Sequence, residues 1–332
     1  MGQYWRLVNI DKVETFGSGH WGKLGACFWY ASQGVLDRLS TAVNPYRWPK
    51  LMSKDKRSPA VQTSMLLIKL PPELLQAIAK SLMGDFASLM AFSFTCVTMW
   101  EVTEDVRFLY LRTELQYRSW EGNRIIFLGD YTRDLPQGLL TGEDREKLNE
   151  WAEIMKSRSH YEPPDDVSED VSLLNRALHN MEDEFLTDYL VYTDIPEAYR
   201  WSNLRFTGFT LRCAPSTSPE NRWMLRNLTK KEYVIRSTAG ISSDSGLTQA
   251  LFSLICWSDD SSISMECDDA DRERMIRGPW AGDRIDLTVD SLHDHKNDSA
   301  WRDITKDVLV FLEKLAKSDD CKRFLEDVLP FW

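Results

Sequence analysis

The amino-acid sequence predicts an α+β protein built from two related, mainly antiparallel β units, with a helical insertion in the first unit and closing helices at the C-terminus. Three observations support this fold class. Short segments recur in the same order in both halves of the chain, which indicates an internal duplication. Residues 66–115 have the periodicity of helices. The composition, with 43% apolar and 27% charged residues, is that of an ordinary globular protein.

The recurring segments predict the strands of the two β units. Residues 5–14 read W-R-L-V-N-I-D-K-V-E and residues 223–232 read W-M-L-R-N-L-T-K-K-E, and both alternate apolar and polar residues around a turn, as a β-hairpin does. Residues 120–125, W-E-G-N-R-I, match residues 280–285, W-A-G-D-R-I, and each segment leads into a predicted strand. A third and weaker match pairs Cys27-Phe28-Trp29 with Cys256-Trp257.

The two halves of the chain differ in length. The matched segments lie roughly twice as far apart in the first half as in the second. We therefore expect the first β unit to comprise residues 1–50 and 116–135 and to carry a helical insertion at residues 51–115. A helical connector, the second β unit and the C-terminal helices are expected at residues 136–205, 206–300 and 301–332.

Two helices are predicted within the connector. Thr141-Gly142-Glu143-Asp144 resembles a capping box, which predicts a charged helix from there to about Arg158. A second helix is predicted from Ser168 to Glu184 because apolar residues recur on one side of it.

The matched polar residues of the two β units allow two interpretations. They form either a ligand-binding site that is present twice, or the turn, ion-pair and core positions that each unit needs to fold. The residues of this possible inter-repeat site are Asn9, Glu14, Arg124, Asn227, Glu232 and Arg284.

The insertion is predicted to contain three short helices. Pro71-Pro72-Glu73 suits the first turn of a helix, where a missing N–H is tolerated and a carboxylate is favourable. A second helix is predicted from Asp85 to Trp100, and a third begins at Thr103. The apolar stripe of the first helix is formed by Leu74, Ile78 and Leu82.

Residues 70–100 resemble an F-box. The family's Leu-Pro-x-Glu-Leu pattern, with Ile and Leu following at four-residue steps, is present here. The resemblance implies that these helices dock on a Skp1-like adaptor of a cullin–RING ubiquitin ligase and that the remaining chain holds a substrate protein. The partner-binding residues that it implies are Leu70, Pro71, Glu73, Leu74, Ile78, Leu82 and Trp100.

Two alternatives stay open beside the adaptor function. In the first alternative, the F-box-like helices pack on the protein's own β units, and the chain is a non-catalytic interaction or ligand-binding protein. The other alternative is an enzyme with a cleft between the two β units. The opening residues, G-Q-Y-W-R-L-V-N-I-D-K, also resemble a group of fungal proteins, but that resemblance implies no biochemistry.

Charge and cysteine content restrict the partners and the compartment. The chain has 51 acidic and 40 basic residues, and this net charge of -11 opposes binding to nucleic acid or to an anionic membrane. No stretch is apolar enough for a signal peptide or a membrane span. The six cysteines lie far apart, which is typical of reduced thiols in the cytoplasm or nucleus. The 13 tryptophans indicate extensive aromatic packing.

Two motifs are interpreted as loops. Gly17 to Gly22 spells G-x-G-x-x-G, but the preceding residues are too polar for the buried strand that a dinucleotide site requires. His293 and His295 alternate as metal ligands on a strand would, yet the surrounding stretch is polar and loop-like. We therefore predict neither a cofactor nor a metal ion.

Overall fold

The computed structural model describes most of the predicted elements. The glycine motif at residues 17–21, together with His293 and His295, lies outside the described residues. The described chain forms two compact units, a larger one from residues 2–40, 120–178 and 223–316 and a smaller one from residues 69–119. The described residues are 2–16, 22–29, 33–40, 69–93, 95, 97–156, 166–178, 223–236, 244–265, 267–289 and 300–316.

The larger unit contains a mixed, mostly antiparallel sheet, so the predicted α+β class is confirmed. Its described strands follow the order β2-β1-β4-β8-β5-β6-β9, with β3 beside β1 and β7 beside β4. Only the β4–β7 and β6–β9 pairs are parallel among these strands. The strands are β1 Tyr4–Asn9, β2 Glu14–Thr15, β3 Gly22–Lys23, β4 Asn123–Gly129, β5 Trp223–Asn227, β6 Glu232–Ile235, β7 Cys256–Trp257, β8 Arg284–Val289 and β9 Arg302–Asp303.

The two predicted β units share this one sheet. Each hairpin pairs with the strand that follows it in its own half, β1 with β4 and β5 with β8. The halves then join through β4 and β8, where Asn123 lies opposite Ile285 and Arg124 lies opposite Arg284. The centre of the sheet is therefore the seam between the two halves.

Helices cover both faces of the sheet, because successive side chains of a strand point to opposite faces and apolar residues lie on both. In β1, Trp5 and Leu7 enter the larger core with α1, α2, α9 and α11, whereas Val8 enters a second core with α7 and α8. The helices of the larger unit are α1 Leu24–Trp29, α2 Gln33–Leu39, α7 Gly142–Met155, α8 Glu169–Ala177, α9 Asp244–Ile255, α10 Asp269–Ile276 and α11 Thr305–Ala316.

The smaller unit has four described helices where the sequence predicted three. They are α3 Pro72–Ser81, α4 Phe86–Ser93, α5 Val97–Val102 and α6 Glu104–Arg118. The predicted second helix is divided at Thr95, which lies in a turn and whose hydroxyl donates to the carbonyl of Phe92. Such side-chain bonds compete with helix continuation at this point.

Three further expectations about elements are wrong. Cys27 lies in helix α1 and Cys256 lies in strand β7, so the third sequence match does not pair equivalent positions. Helices α9 and α10 both lie within residues 206–300, the range expected for the mainly antiparallel second β unit. The segment after Trp301 first forms β9, since it pairs with β6, and becomes helical only at Thr305.

The turn around Gly278 provides a test of this fold. A methyl group on Gly278 would collide with the backbone carbonyl of Leu254 and lie 2.9 Å from the nitrogen of Cys256. We expect Gly278→Ala to lower the free energy of unfolding by about 1–3 kcal/mol, because backbone atoms have to move. Urea denaturation of the purified chain measures this loss.

Gly142→Ala is the matched control for this substitution. Gly142 begins helix α7 with nothing near its missing methyl group, so alanine should change stability by less than about 1 kcal/mol. Equal stability of the two variants would contradict the packing of the α9–β7 turn on Gly278.

Candidate functional site

Helix α3 of the smaller unit carries an exposed apolar surface. Leu74 is 51% exposed, whereas its neighbour Leu75 is 1% exposed. The core of this unit is formed by Ala79, Leu89 and Val106, and Leu82 packs against it. Leu75 and Ala79 are therefore the buried residues of the helix, and Leu74 stays on its surface.

The start of α3 determines which residues form this surface. The amides of Leu74 and Leu75 both donate to the carbonyl oxygen of Pro71, and Pro72 occupies the first helical position. Each residue of a helix is rotated by about 100° from the one before, so a core at Leu75 turns Leu74 outward. Pro71 and Glu73 are exposed as well, and Leu70 and Ile78 are half-buried.

Trp100 differs from the other residues of the predicted docking face because it is buried. Its side chain is 4% exposed, and the guanidinium carbon of Arg107 lies 3.5 Å from the ring centroid. Burial lowers the pKa of Arg107 to about 10, and the nearby Glu104 acts in the opposite direction. This cation–π contact stabilises the interior of the unit rather than its surface.

Two buried hydroxyl groups lie next to Arg107 inside the smaller unit. Nη1 of Arg107 donates to Oγ1 of Thr103 at 2.7 Å, and that oxygen lies 2.8 Å from Oγ of Ser93. The sequence prediction treated Thr103 as a helix cap and did not identify Arg107. A signal existed, because Trp100, Thr103 and Arg107 are spaced at three and four residues and so share a helical face.

The larger unit holds the second candidate site at the seam of its sheet. Asp11 accepts hydrogen bonds from Nε of Arg124 at 2.7 Å and from Nη1 of Arg284 at 2.8 Å. Asp144 binds the two terminal nitrogens of Arg124 at 2.9 and 2.6 Å. We call Asp11, Arg124, Asp144 and Arg284 the seam cluster.

Charge pairing within the seam cluster fixes the protonation of Arg124 and Asp144. The hydrogen bond from Arg124 holds the pKa of Asp144 well below its ordinary value, although partial burial opposes this shift. The same contact raises the pKa of Arg124, again against the effect of burial. Both groups therefore stay ionised at neutral pH, and neither is prepared for proton transfer.

The matched asparagines shape the two hairpin turns. Oδ1 of Asn9 accepts from the amide of Lys12 at 3.1 Å, and Oδ1 of Asn227 accepts from the amide of Lys230 at 2.9 Å. Each amide group also donates, Asn9 to Asn123 and Asn227 to Asp283. Both asparagines are fully buried, so these bonds satisfy groups that water does not reach.

The matched glutamates bind the indole groups of the matched tryptophans. Nε1 of Trp120 donates to Glu14 at 2.8 Å, and Nε1 of Trp280 donates to Glu232 at 2.7 Å. Glu232 also forms an ion pair with Arg302. Burial raises the pKa of Glu232, but the bonds from Arg302 and Trp280 outweigh it and leave a net lowering.

All six residues of the possible inter-repeat site thus bind other protein groups. The structure brings Arg124 and Arg284 together at the seam and places the asparagines and glutamates at the two hairpins. Asp11 was not identified as a site residue, although its position in a predicted turn was visible. Asp144 was predicted as a helix cap and does bond the amide of Thr141 in a capping box.

Neither a metal-binding cluster nor a membrane-spanning helix is found among the described residues. Within them, no group of three or more His, Cys, Asp and Glu side chains is placed to hold a metal ion. No helix in the described ranges has the length and apolar character needed to cross a membrane.

Comparisons with known proteins add no relative. The chain matches no protein-family model, no curated protein and no solved structure.

The two adjacent leucines of α3 give a prediction about the smaller unit. Leu75→Ala should lower the free energy of unfolding by about 2–5 kcal/mol, because it opens a cavity in the core. Leu74→Ala should change it by less than about 0.5 kcal/mol, since Leu74 is half exposed. Hydrogen exchange of the α3 amides in both variants measures the difference. Equal losses of protection would show that Leu74 is a core residue.

The seam cluster gives a prediction about pH. A carboxylate with a lowered pKa stabilises the fold at pH values above its unfolded pKa of about 3.9, and this contribution is lost as the pH falls further. We expect Asp144→Asn to reduce the free energy of unfolding at pH 7 by about 1–2 kcal/mol. The difference from the wild type should shrink when urea denaturation is repeated near pH 3, where the carboxyl group is mostly protonated in the unfolded chain.

Asp170→Asn is the control for this measurement. Asp170 pairs with Arg145 at 2.7 Å on the exposed side of helix α7, where water screens the interaction. Its substitution should cost clearly less than that of Asp144. A pH-independent difference for Asp144→Asn would contradict the depressed pKa.

Proposed function

We propose that this protein is an F-box-type substrate adaptor that recruits a protein to a Skp1-like subunit of a cullin–RING ubiquitin ligase. The observation that carries the proposal is the exposure of Leu74 on helix α3, beside exposed Pro71 and half-buried Ile78. These residues belong to the Leu-Pro-x-Glu-Leu pattern from which the F-box resemblance was drawn. A helix that leaves the apolar residues of this pattern in water is suited to docking on another chain.

The energetics of such a contact are favourable. Full burial of one leucine side chain contributes about 1.5–3 kcal/mol, and the half-exposed Leu74 retains part of that amount for a partner. Leu70, Pro71, Leu74 and Ile78 would anchor the contact. In this proposal Trp100 acts inside the unit, where it and Arg107 keep the helices in register.

The larger unit would then hold the substrate. No side chain of its seam cluster is assigned to that task, because Asp11, Arg124 and Asp144 bind one another. The contacts of Arg124, Glu14 and Glu232 argue against the cleft enzyme, since these groups are engaged in holding the fold. A non-catalytic interaction protein remains the second candidate.

We further propose that the larger unit arose by duplication, with the helical unit inserted into the first copy. The support is a set of paired contacts that occur once in each half. The amide of Trp120 donates to the carbonyl oxygen of Arg38 at 2.6 Å, and the amide of Trp280 donates to that of Leu254 at 2.7 Å.

The first of these bonds also bears on the insertion. It joins residues on either side of the long segment 41–119, so the chain leaves the larger unit and returns to it at adjacent points. The corresponding segment of the second half, from Leu254 to Trp280, is short. A closed entry and exit point of this kind is where an inserted domain is tolerated.

The second paired contact crosses the seam. Ser40 pairs in parallel with Leu287 of β8, and Cys256 pairs in parallel with Phe127 of β4. Each half therefore extends one short segment into the sheet of the other. Under the duplication, Ser40 is the counterpart of Cys256, which replaces the sequence match of Cys27 with Cys256.

A direct binding experiment tests the adaptor function. We expect Leu74→Asp combined with Ile78→Asp to reduce the recovery of a purified Skp1-like protein by at least tenfold, because two charges would be buried against an apolar groove. The recovery is measured by pull-down with the full chain, and circular dichroism verifies that the variant is folded.

Val310→Asp is the matched control for this experiment. Val310 is 60% exposed on helix α11 of the larger unit, so its substitution adds a similar charge at a similarly exposed apolar position. Recovery of the partner should be unchanged. Equal recovery with wild type and the double variant, both folded, would remove the docking assignment and favour the second candidate.

A further inference from the structure

We draw no further inference here: the strongest candidate, the Arg226–Asp286 ion pair with Thr288 on the sheet face of β5 and β8, carries nothing because, apart from the ring of Trp301 over Arg226, the described residues do not show what covers that face.

Discussion

The larger unit depends on the antiparallel pairing of β4 with β8. This short contact joins two hairpin systems into one sheet, and it places two guanidinium groups, those of Arg124 and Arg284, directly opposite each other. Like charges in this position repel, so the pairing requires a carboxylate between them. Asp11 supplies it from the turn of the first hairpin, and Asp144 adds a second one from helix α7. The sheet, the turn and the helix are thereby fixed by one set of ion pairs.

The two halves use this seam unequally. Arg124 pairs with two carboxylates and is largely buried, whereas Arg284 shares Asp11 with it and is half exposed. At the position of Asp11, the second hairpin has Thr229, whose hydroxyl oxygen accepts from the amide of Arg284. The contact of the first hairpin with the seam is therefore the stronger one, since ionic hydrogen bonds are stronger than those between neutral groups.

Local pattern was sufficient to predict the elements that depend on neighbouring residues. The hairpin of β1 and β2 and the capping box of helix α7 were predicted because alternation and cap chemistry act over a few positions. The single sheet was not predicted, because the pairing of Arg124 with Arg284 joins distant positions and contradicts the usual preference for opposite charges. Sequence alone therefore identified the candidate residues of the seam but not their carboxylate partners.

The candidate docking surface shows a different limit of sequence patterns. Leu74 and Leu75 are both apolar, and either one starts a stripe with four-residue spacing, through Ile78 or through Ala79. Periodicity does not distinguish these two stripes. The choice is made by packing, because Leu75 is buried and Ala79 enters the core with Leu89 and Val106. Leu74, the first residue of the stripe assigned to partner binding, remains on the surface for this reason.

Ser40 and Cys256 each pair with a strand of the opposite half, and this pairing has a consequence for biosynthesis. Ser40 needs Leu287 as its neighbour, and β4 needs both Cys256 and β8. During translation the first half thus leaves the ribosome before its partners in the sheet have been synthesised. The backbone N–H and C=O groups at the edges of its strands remain unpaired until then. Such non-local topology folds slowly, and it exposes unpaired strands to aggregation while the second half is being synthesised.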